Sequence, residues 1–250
     1  MDLNLNGKWA LVTGGSKGIG LASAKALAAE GVNIHLASRT AEDLEKAKED
    51  IGGRYNVAVE THAVDLSDAD KRKGLVVDVG TLDILVNNAG AIPGGSITDL
   101  TDEVWRDAWE LKIFGYIHMS RMIFPVMCEQ GHGVIVNIAG IAGRLPMPDY
   151  IAGATGNAAM INFSRSLGVA GADKGVRVIC INPGPTLTDR LIYLRRLTAE
   201  KELGDPERHA ELPAATRIGR PAEPEEVGDL VAFFASERAK FMTGTVIDME

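Results

Sequence analysis

The sequence predicts one doubly wound α/β domain, a parallel sheet with helices on both faces. Three observations carry that expectation. Short apolar runs alternate with longer helix-like segments along the chain, as parallel strands joined by crossover helices do. A glycine-rich turn lies between the first strand and the first helix. The 250 residues, 46% hydrophobic and 24% charged, suit one large domain of ordinary composition, spanning residues 1–250.

Trp9 to Val12 is a short apolar run, read as a buried strand. Leu21 to Glu30 is rich in alanine and leucine and reads as a helix stopped by Gly31. Val32 to Ala37 is the second strand, and Ala41 to Asp50 a charged helix. Val57 to Val64 alternates like a strand, and Ile84 to Val86 is a buried one. Thr101 to about Gln130 reads as a long helix, ended or bent near Pro125. Val134 to Ile138 and Val176 to Ile181 are strands flanking a helix from Gly153 to Gly171. Val227 to Ala235 is helical and Thr245 to Ile247 is a last strand. Thr186 to Pro213 is polar and poorly periodic, and is expected as a flexible surface excursion beside the substrate.

Composition excludes several functions. A net charge of −8 lacks the electrostatic footprint of a nucleic-acid binder. No apolar run approaches the roughly 20 residues that span a bilayer. The N-terminus lacks a basic segment followed by an apolar one, so no signal peptide is expected. Two cysteines, Cys128 and Cys180, fit a reducing cytoplasm and inert packing. The five histidines have no metal-ligand spacing, so no metal site is expected.

Thr13-Gly14-Gly15-Ser16-Lys17-Gly18-Ile19-Gly20 follows the first strand and opens a helix. Gly14 permits a tight turn, Gly18 admits a pyrophosphate and Gly20 lets helix and strand pack closely. The helix N-terminus, with Ser16 and Ile19 beside it, then offers N–H groups to phosphates. The second strand ends Ser38-Arg39, where NAD-binding sheets place an acid for the ribose 2′-hydroxyl. Arg39 with Lys17 would pair a 2′-phosphate, which favours NADP(H) over NAD(H). Two solvated surface charges are the plainer alternative. Asp65, with Leu66 after the third strand, would contact adenine or cap a helix.

These motifs, with Asn87-Asn88-Ala89-Gly90 and Pro183-Gly184 followed by Thr186 and Thr188, resemble those of the short-chain dehydrogenase/reductase family along nearly the whole chain. The resemblance implies a Rossmann-like subunit, a nicotinamide cofactor, a small-molecule substrate and a homotetramer or homodimer. It also implies that Asn88, Ala89, Gly90, Pro183, Gly184, Thr186 and Thr188 contact the cofactor.

The family's chemistry uses Asn, Ser, Tyr and Lys, and here all four positions differ. Ala158 to Leu167 resembles the stretch after the family's YxxxK, which places Gly153 at Tyr and Asn157 at Lys. Gly140 then falls at Ser, thirteen residues before Gly153 as the family's spacing requires. Lys112, in Trp109-Glu110-Leu111-Lys112-Ile113-Phe114-Gly115, falls at Asn. The Asn and Lys positions look exchanged, so Lys112 and Asn157 are expected to meet near the nicotinamide ribose. Lys112 reaching solvent along its helix is the alternative. The glycines open space that a different acid could enter. Tyr150 is the leading candidate as proton donor, with Asp149 beside it, and a packed loop aromatic is its plainer reading.

The expected function is NADP(H)-dependent oxidoreduction of a carbonyl or alcohol with a non-standard catalytic set. An inactive NADP-binding subunit or sensor, and a non-redox isomerase or lyase, are the alternatives. Substrate contacts are expected from 92–97, 144–149 and 187–194, around a modestly hydrophobic ligand.

Overall fold

The computed structural model describes residues 2–90, 92–214 and 216–250. Seven parallel strands form one sheet in the order β3-β2-β1-β4-β5-β6-β7. The strands are β1 (Trp9–Thr13), β2 (Asn33–Ser38), β3 (Val59–Ala63), β4 (Ile84–Asn87), β5 (Gly133–Ile138), β6 (Val176–Pro183) and β7 (Thr245–Met249). Chain order reverses at β1, which pairs with both β2 and β4. This is the switch point of a doubly wound sheet, where the strand ends leave a crevice.

Strand side chains alternate between two cores. Ala10, Val12, Ile34 and Leu36 face helices α1 (Gly18–Ala29), α2 (Ala41–Gly52) and α8 (Pro224–Ala235). Leu11, Leu85, Ile135 and Val178 face α3 (Ala69–Val79) and α5 (Gly115–Gln130). Cys180 packs on the same side beneath α6 (Ile151–Gly171). Both faces are covered, which explains why the strands read as continuous apolar runs.

Four elements differ from the sequence expectation. Helix α3 has no apolar periodicity to announce it, yet Asp68 caps it by accepting from the Asp70 and Lys71 amides. The long helix does not break at Pro125. It divides into α4 (Asp102–Trp109), a π-helical turn over Glu110–Phe114, and α5, which runs through Pro125 to Gln130. The carbonyl that Pro125 leaves without its helical partner belongs to Arg121, an exposed residue. Helix α6 starts at Ile151, so Gly153 lies in its first turn. Within 186–213 the chain forms α7 (Asp189–Leu203) and a 3-10 segment over Pro206–Glu211. Arg195 fastens the two by donating to the carbonyls of His209, Leu212 and Pro213. Such backbone fastening leaves no apolar pattern in the sequence.

A chain of buried amides and hydroxyls crosses the sheet below its strand ends. Asn87 Nδ2 donates to Asn137 Oδ1 at 2.9 Å and to Ser120 Oγ at 3.2 Å. Asn137 Nδ2 donates to Ser164 Oγ at 2.9 Å, and that hydroxyl donates to the Met160 carbonyl. The chain ties β4 and β5 to α5 and α6. Removing its middle member strands buried polar groups, each costing about 1–3 kcal/mol. Asn137→Ala is expected to lose about 2–4 kcal/mol of unfolding free energy in urea titrations; a loss below about 1 kcal/mol would refute the role.

Candidate active site

Two connected hollows lie at the switch point. The first is a groove of about 390 Å³ lined by Gly14, Ser16, Lys17, Ser38, Arg39, Leu66, Ala89 and Gly90, among others. Its floor is made by contacts that exclude side chains. Gly14 has φ +65°, and a Cβ there would come within 3.0 Å of Ala89 Cα. A Cβ on Gly20 would overlap the Gly14 carbonyl. Gly18 has φ +53° and faces the Thr188 methyl.

Asn88 has a structural role beside the groove. Its Nδ2 donates to the carbonyls of Thr13 and Gly14 at 3.1 and 3.2 Å, so the side chain holds the glycine turn. Asp65 makes a local turn instead of capping α3, accepting from the Ser67 amide and hydroxyl. Thr186 and Thr188 spend their hydroxyls locally, on the carbonyls of Gly184 and Thr186. With Pro183, Gly184 and Ile19 they line the second hollow.

At the β2 end Arg39 is exposed. No ion pair engages it among the described residues. Lys17 is paired with Asp43 at 2.9 Å. Ser38 Oγ is buried and has no hydrogen-bond partner. An orphaned hydroxyl beside a free guanidinium is a donor set that fits a phosphate.

The second hollow, about 240 Å³, is lined by Lys112, Tyr150 and Arg190 together with Ile92, Leu191 and Leu194, among others. Lys112 stands in the π-helical turn, a local irregularity that re-aims one side chain. Fully buried Arg72 on α3 secures that turn through Glu110 Oε1 and the Leu66 carbonyl, both at 2.6 Å. The Lys112 stem packs on Gly90, where a Cβ would come within 2.8 Å of it. Its Nζ donates to the Ala139 carbonyl at 2.9 Å. Burial pulls the lysine down to about 8, Cys180 opposing and Arg190 adding to the shift.

Tyr150 precedes α6, and its ring lies where a side chain on Gly153 would project. The backbone before it is pinned by the Gly95 amide, which donates to the Asp149 carbonyl at 2.8 Å. Arg190, on the first turn of α7, lines the same hollow as Tyr150 and donates to the Ile92 carbonyl at 2.6 Å. Burial raises the phenol above its ordinary value and Arg190 pulls the other way. The neutral phenol is therefore the resting form near neutral pH.

Lys112 and Asn157 are not hydrogen-bonded to each other. Asn157 is buried, does not line the hollow with Lys112, and its Oδ1 has no partner. Its Nδ2 lies 3.1 Å from where a Cβ on Gly140 would stand. The two side chains thus reach the same Ala139–Gly140 backbone separately. Gly140 explains this, because without a side chain there Asn157 settles against the main chain.

Of the expected substrate segments, Ile92, Leu191 and Leu194 do line the hollow. Arg144 to Pro148 line a separate groove with Ile151 and Ala158, and Arg144 pairs with Asp248 at 3.2 Å. Arg190 was hidden in the polar stretch that forms α7, where nothing in the sequence distinguishes it from its neighbours Arg195 and Arg196. Cys180 is buried, with its thiol pushed up to about 11 by burial, consistent with inert packing. Sequence spacing also concealed a cluster away from the site. His35 and His62 meet across β2 and β3, Nδ1 to Nε2 at 3.0 Å, with Glu60 beside them.

A family model described as short chain dehydrogenase matches residues 8–197. The chain belongs to the short-chain dehydrogenase/reductase family. It is 31% identical to the uncharacterized oxidoreductase YvrD of Bacillus subtilis, covering 100% of this chain and 97% of that protein. The L-sorbose reductase of Gluconobacter frateurii, solved with NADPH and L-sorbose, superposes with a TM-score of 0.92 at 32% identity. That match covers 100% of this chain and 97% of the reductase. An NAD+-bound xylitol dehydrogenase superposes with a TM-score of 0.89 at 28% identity, over 98% of both chains. The family is one of oxidoreductases, and its members near this chain use either nicotinamide cofactor. No helix among the described residues is long and apolar enough to cross a membrane.

The lysine makes a signed prediction. Between about pH 8 and the ordinary lysine value of 10.5, the unfolded chain holds this proton and the folded chain does not. Stability contributed at this site therefore rises with pH across that window. Thermal melts at pH 7 to 10 are expected to show the native chain gaining on Lys112→Met above about pH 8. Parallel curves for the two proteins would contradict a depressed lysine.

Proposed function

We propose that the chain is an NADP(H)-dependent oxidoreductase interconverting a carbonyl compound and its alcohol, with Tyr150 as the proton donor. One observation carries this reading: the Tyr150 ring fills the space over Gly153 and shares a hollow with Lys112 at the mouth of the nucleotide groove. An abandoned site would have no reason to keep a phenol and two cations around one cavity. That arrangement favours a working enzyme over an inactive nucleotide-binding subunit.

Gly14, Ser16, Gly18, Ile19 and Gly20 would cradle the pyrophosphate, and Arg39 with the unpartnered Ser38 hydroxyl would take a 2′-phosphate. Bound there, the nicotinamide supplies or accepts the hydride. In reduction Tyr150 gives its proton to the substrate oxygen, and the positive charge of Arg190 favours the phenolate left behind. Lys112, held on the Ala139 carbonyl, adds positive charge where negative charge develops. In oxidation the proton returns the other way. Asn157 supports the backbone of this wall. The exposed Val104 and Phe114 along α4 and the π-helical turn support assembly as a homodimer or homotetramer.

Calorimetric titration with NADPH and NADH tests the cofactor reading. NADPH is expected to bind more than about tenfold tighter, and Arg39→Ala to remove that preference by weakening NADPH about 10- to 100-fold. Equal binding of both cofactors would refute the 2′-phosphate site. Tyr150→Phe is expected to cut kcat about 100-fold or more with NADPH affinity kept. Full turnover in that variant would remove Tyr150 from the chemistry.

A further inference from the structure

We infer that Lys112 and Arg190 form an anion subsite within the catalytic hollow, and that the substrate is a small oxo acid or the matching hydroxy acid. The inference rests on reading this hollow as the place of reaction.

The chain carries 34 acidic residues and a net charge of −8, yet none of its acidic residues lines this hollow. Two cations do. Neither has a carboxylate partner among the described residues, where fifteen other ion pairs form. Each instead donates to a backbone carbonyl, Lys112 to Ala139 at 2.9 Å and Arg190 to Ile92 at 2.6 Å. An ammonium has three N–H donors and a guanidinium five, so both keep donors free. The two charges also disfavour each other, which the lowering effect of Arg190 on Lys112 records. An anion between them would relieve the repulsion and use the spare donors.

The size and walls of the hollow restrict the anion. About 240 Å³ accommodates a compact molecule. Ile92, Leu191 and Leu194 offer apolar surface to a short carbon chain. Tyr150 faces the same space, so a carbonyl on that chain would meet the phenol while a carboxylate at its end meets the cations. In the forward direction the carbonyl carbon gains a hydride from reduced nicotinamide. Its oxygen gains the proton of Tyr150, and a secondary alcohol forms. The carboxylate takes no part in bond changes and serves as the handle. The other anion within reach is a phosphate of the cofactor, because Arg190 also lines a third hollow together with Gly14, Gly18 and Arg39.

The test pairs acids with their neutral esters, using 2-oxobutanoate, 3-oxobutanoate and 4-oxopentanoate and their methyl esters, with NADPH. The acid-to-ester ratio of kcat/KM is expected to exceed about 10 for at least one pair. In Arg190→Gln and in Lys112→Met that ratio is expected to fall towards one. Any common effect on Tyr150 cancels in the ratio, so a merely structural role would leave it unchanged. Calorimetry of the acids with the cofactor-loaded protein gives a readout independent of turnover. Esters handled as well as acids in every pair would overturn the subsite. So would an Arg190→Gln variant that loses NADPH affinity while keeping its acid-to-ester ratio, which would assign the guanidinium to the cofactor's phosphate. If nothing is turned over but an acid binds and Arg190→Gln abolishes that binding, the subsite stands and the redox reading fails. If no acid binds or reacts, the subsite fails whether or not esters are reduced.

Discussion

Everything at the switch point depends on three backbones meeting with no side chain between them. The Gly14 carbonyl lies against Gly20, and Asn88 bridges from β4 to the carbonyls of Thr13 and Gly14. A methyl group on Gly20 would push α1 off β1 and open the groove in which a nucleotide would lie. The asparagine is as much part of this closure as the glycines, because its amide satisfies carbonyls that the tight turn leaves over. The groove is thus fixed by main-chain geometry before any ligand arrives. Only its far end, at Ser38 and Arg39, offers side-chain chemistry by which one cofactor could be told from another.

The second hollow obeys a different rule, in which one loss is filled by a neighbour. Gly153 leaves room in the first turn of α6, and the ring of Tyr150 occupies it. Gly140 leaves room opposite, and Asn157 settles against that backbone. Lys112 takes the Ala139 carbonyl, and Arg190 comes from α7 to the tyrosine. Tyr150, Lys112 and Arg190 thus gather a phenol and two cations beside an apolar wall around one cavity.

Periodicity made the sheet legible, because strands buried on both faces are short apolar runs and the glycine turn marks the first crossover. Helix α3 was not legible, since its stability comes from the Asp68 cap and from Arg72 buried beneath it. Helix α7 was hidden for a related reason: Arg195 secures it through carbonyls, which have no signature in residue type. In the site, motif register pointed to Lys112 and Tyr150, and the fold brings both to one hollow. It paired Lys112 with Asn157, whereas the fold sets them apart on either side of the Ala139–Gly140 backbone, a detail that spacing along two helices does not carry. Arg190, His35 and His62 required the fold itself.

The hydrogen bond from the Gly95 amide to the Asp149 carbonyl has an evolutionary side. A tyrosine rooted within a helix keeps its place while neighbouring loops vary in length and composition. Tyr150 is rooted at the loop-to-helix junction, and that loop is stitched to the segment following Gly90 on the opposite wall. An insertion in either stretch would displace the phenol along with the cavity wall. The place of the Tyr150 ring and the shape of the wall are therefore inherited together, and a point substitution on this frame of loops can reshape the hollow without moving the ring.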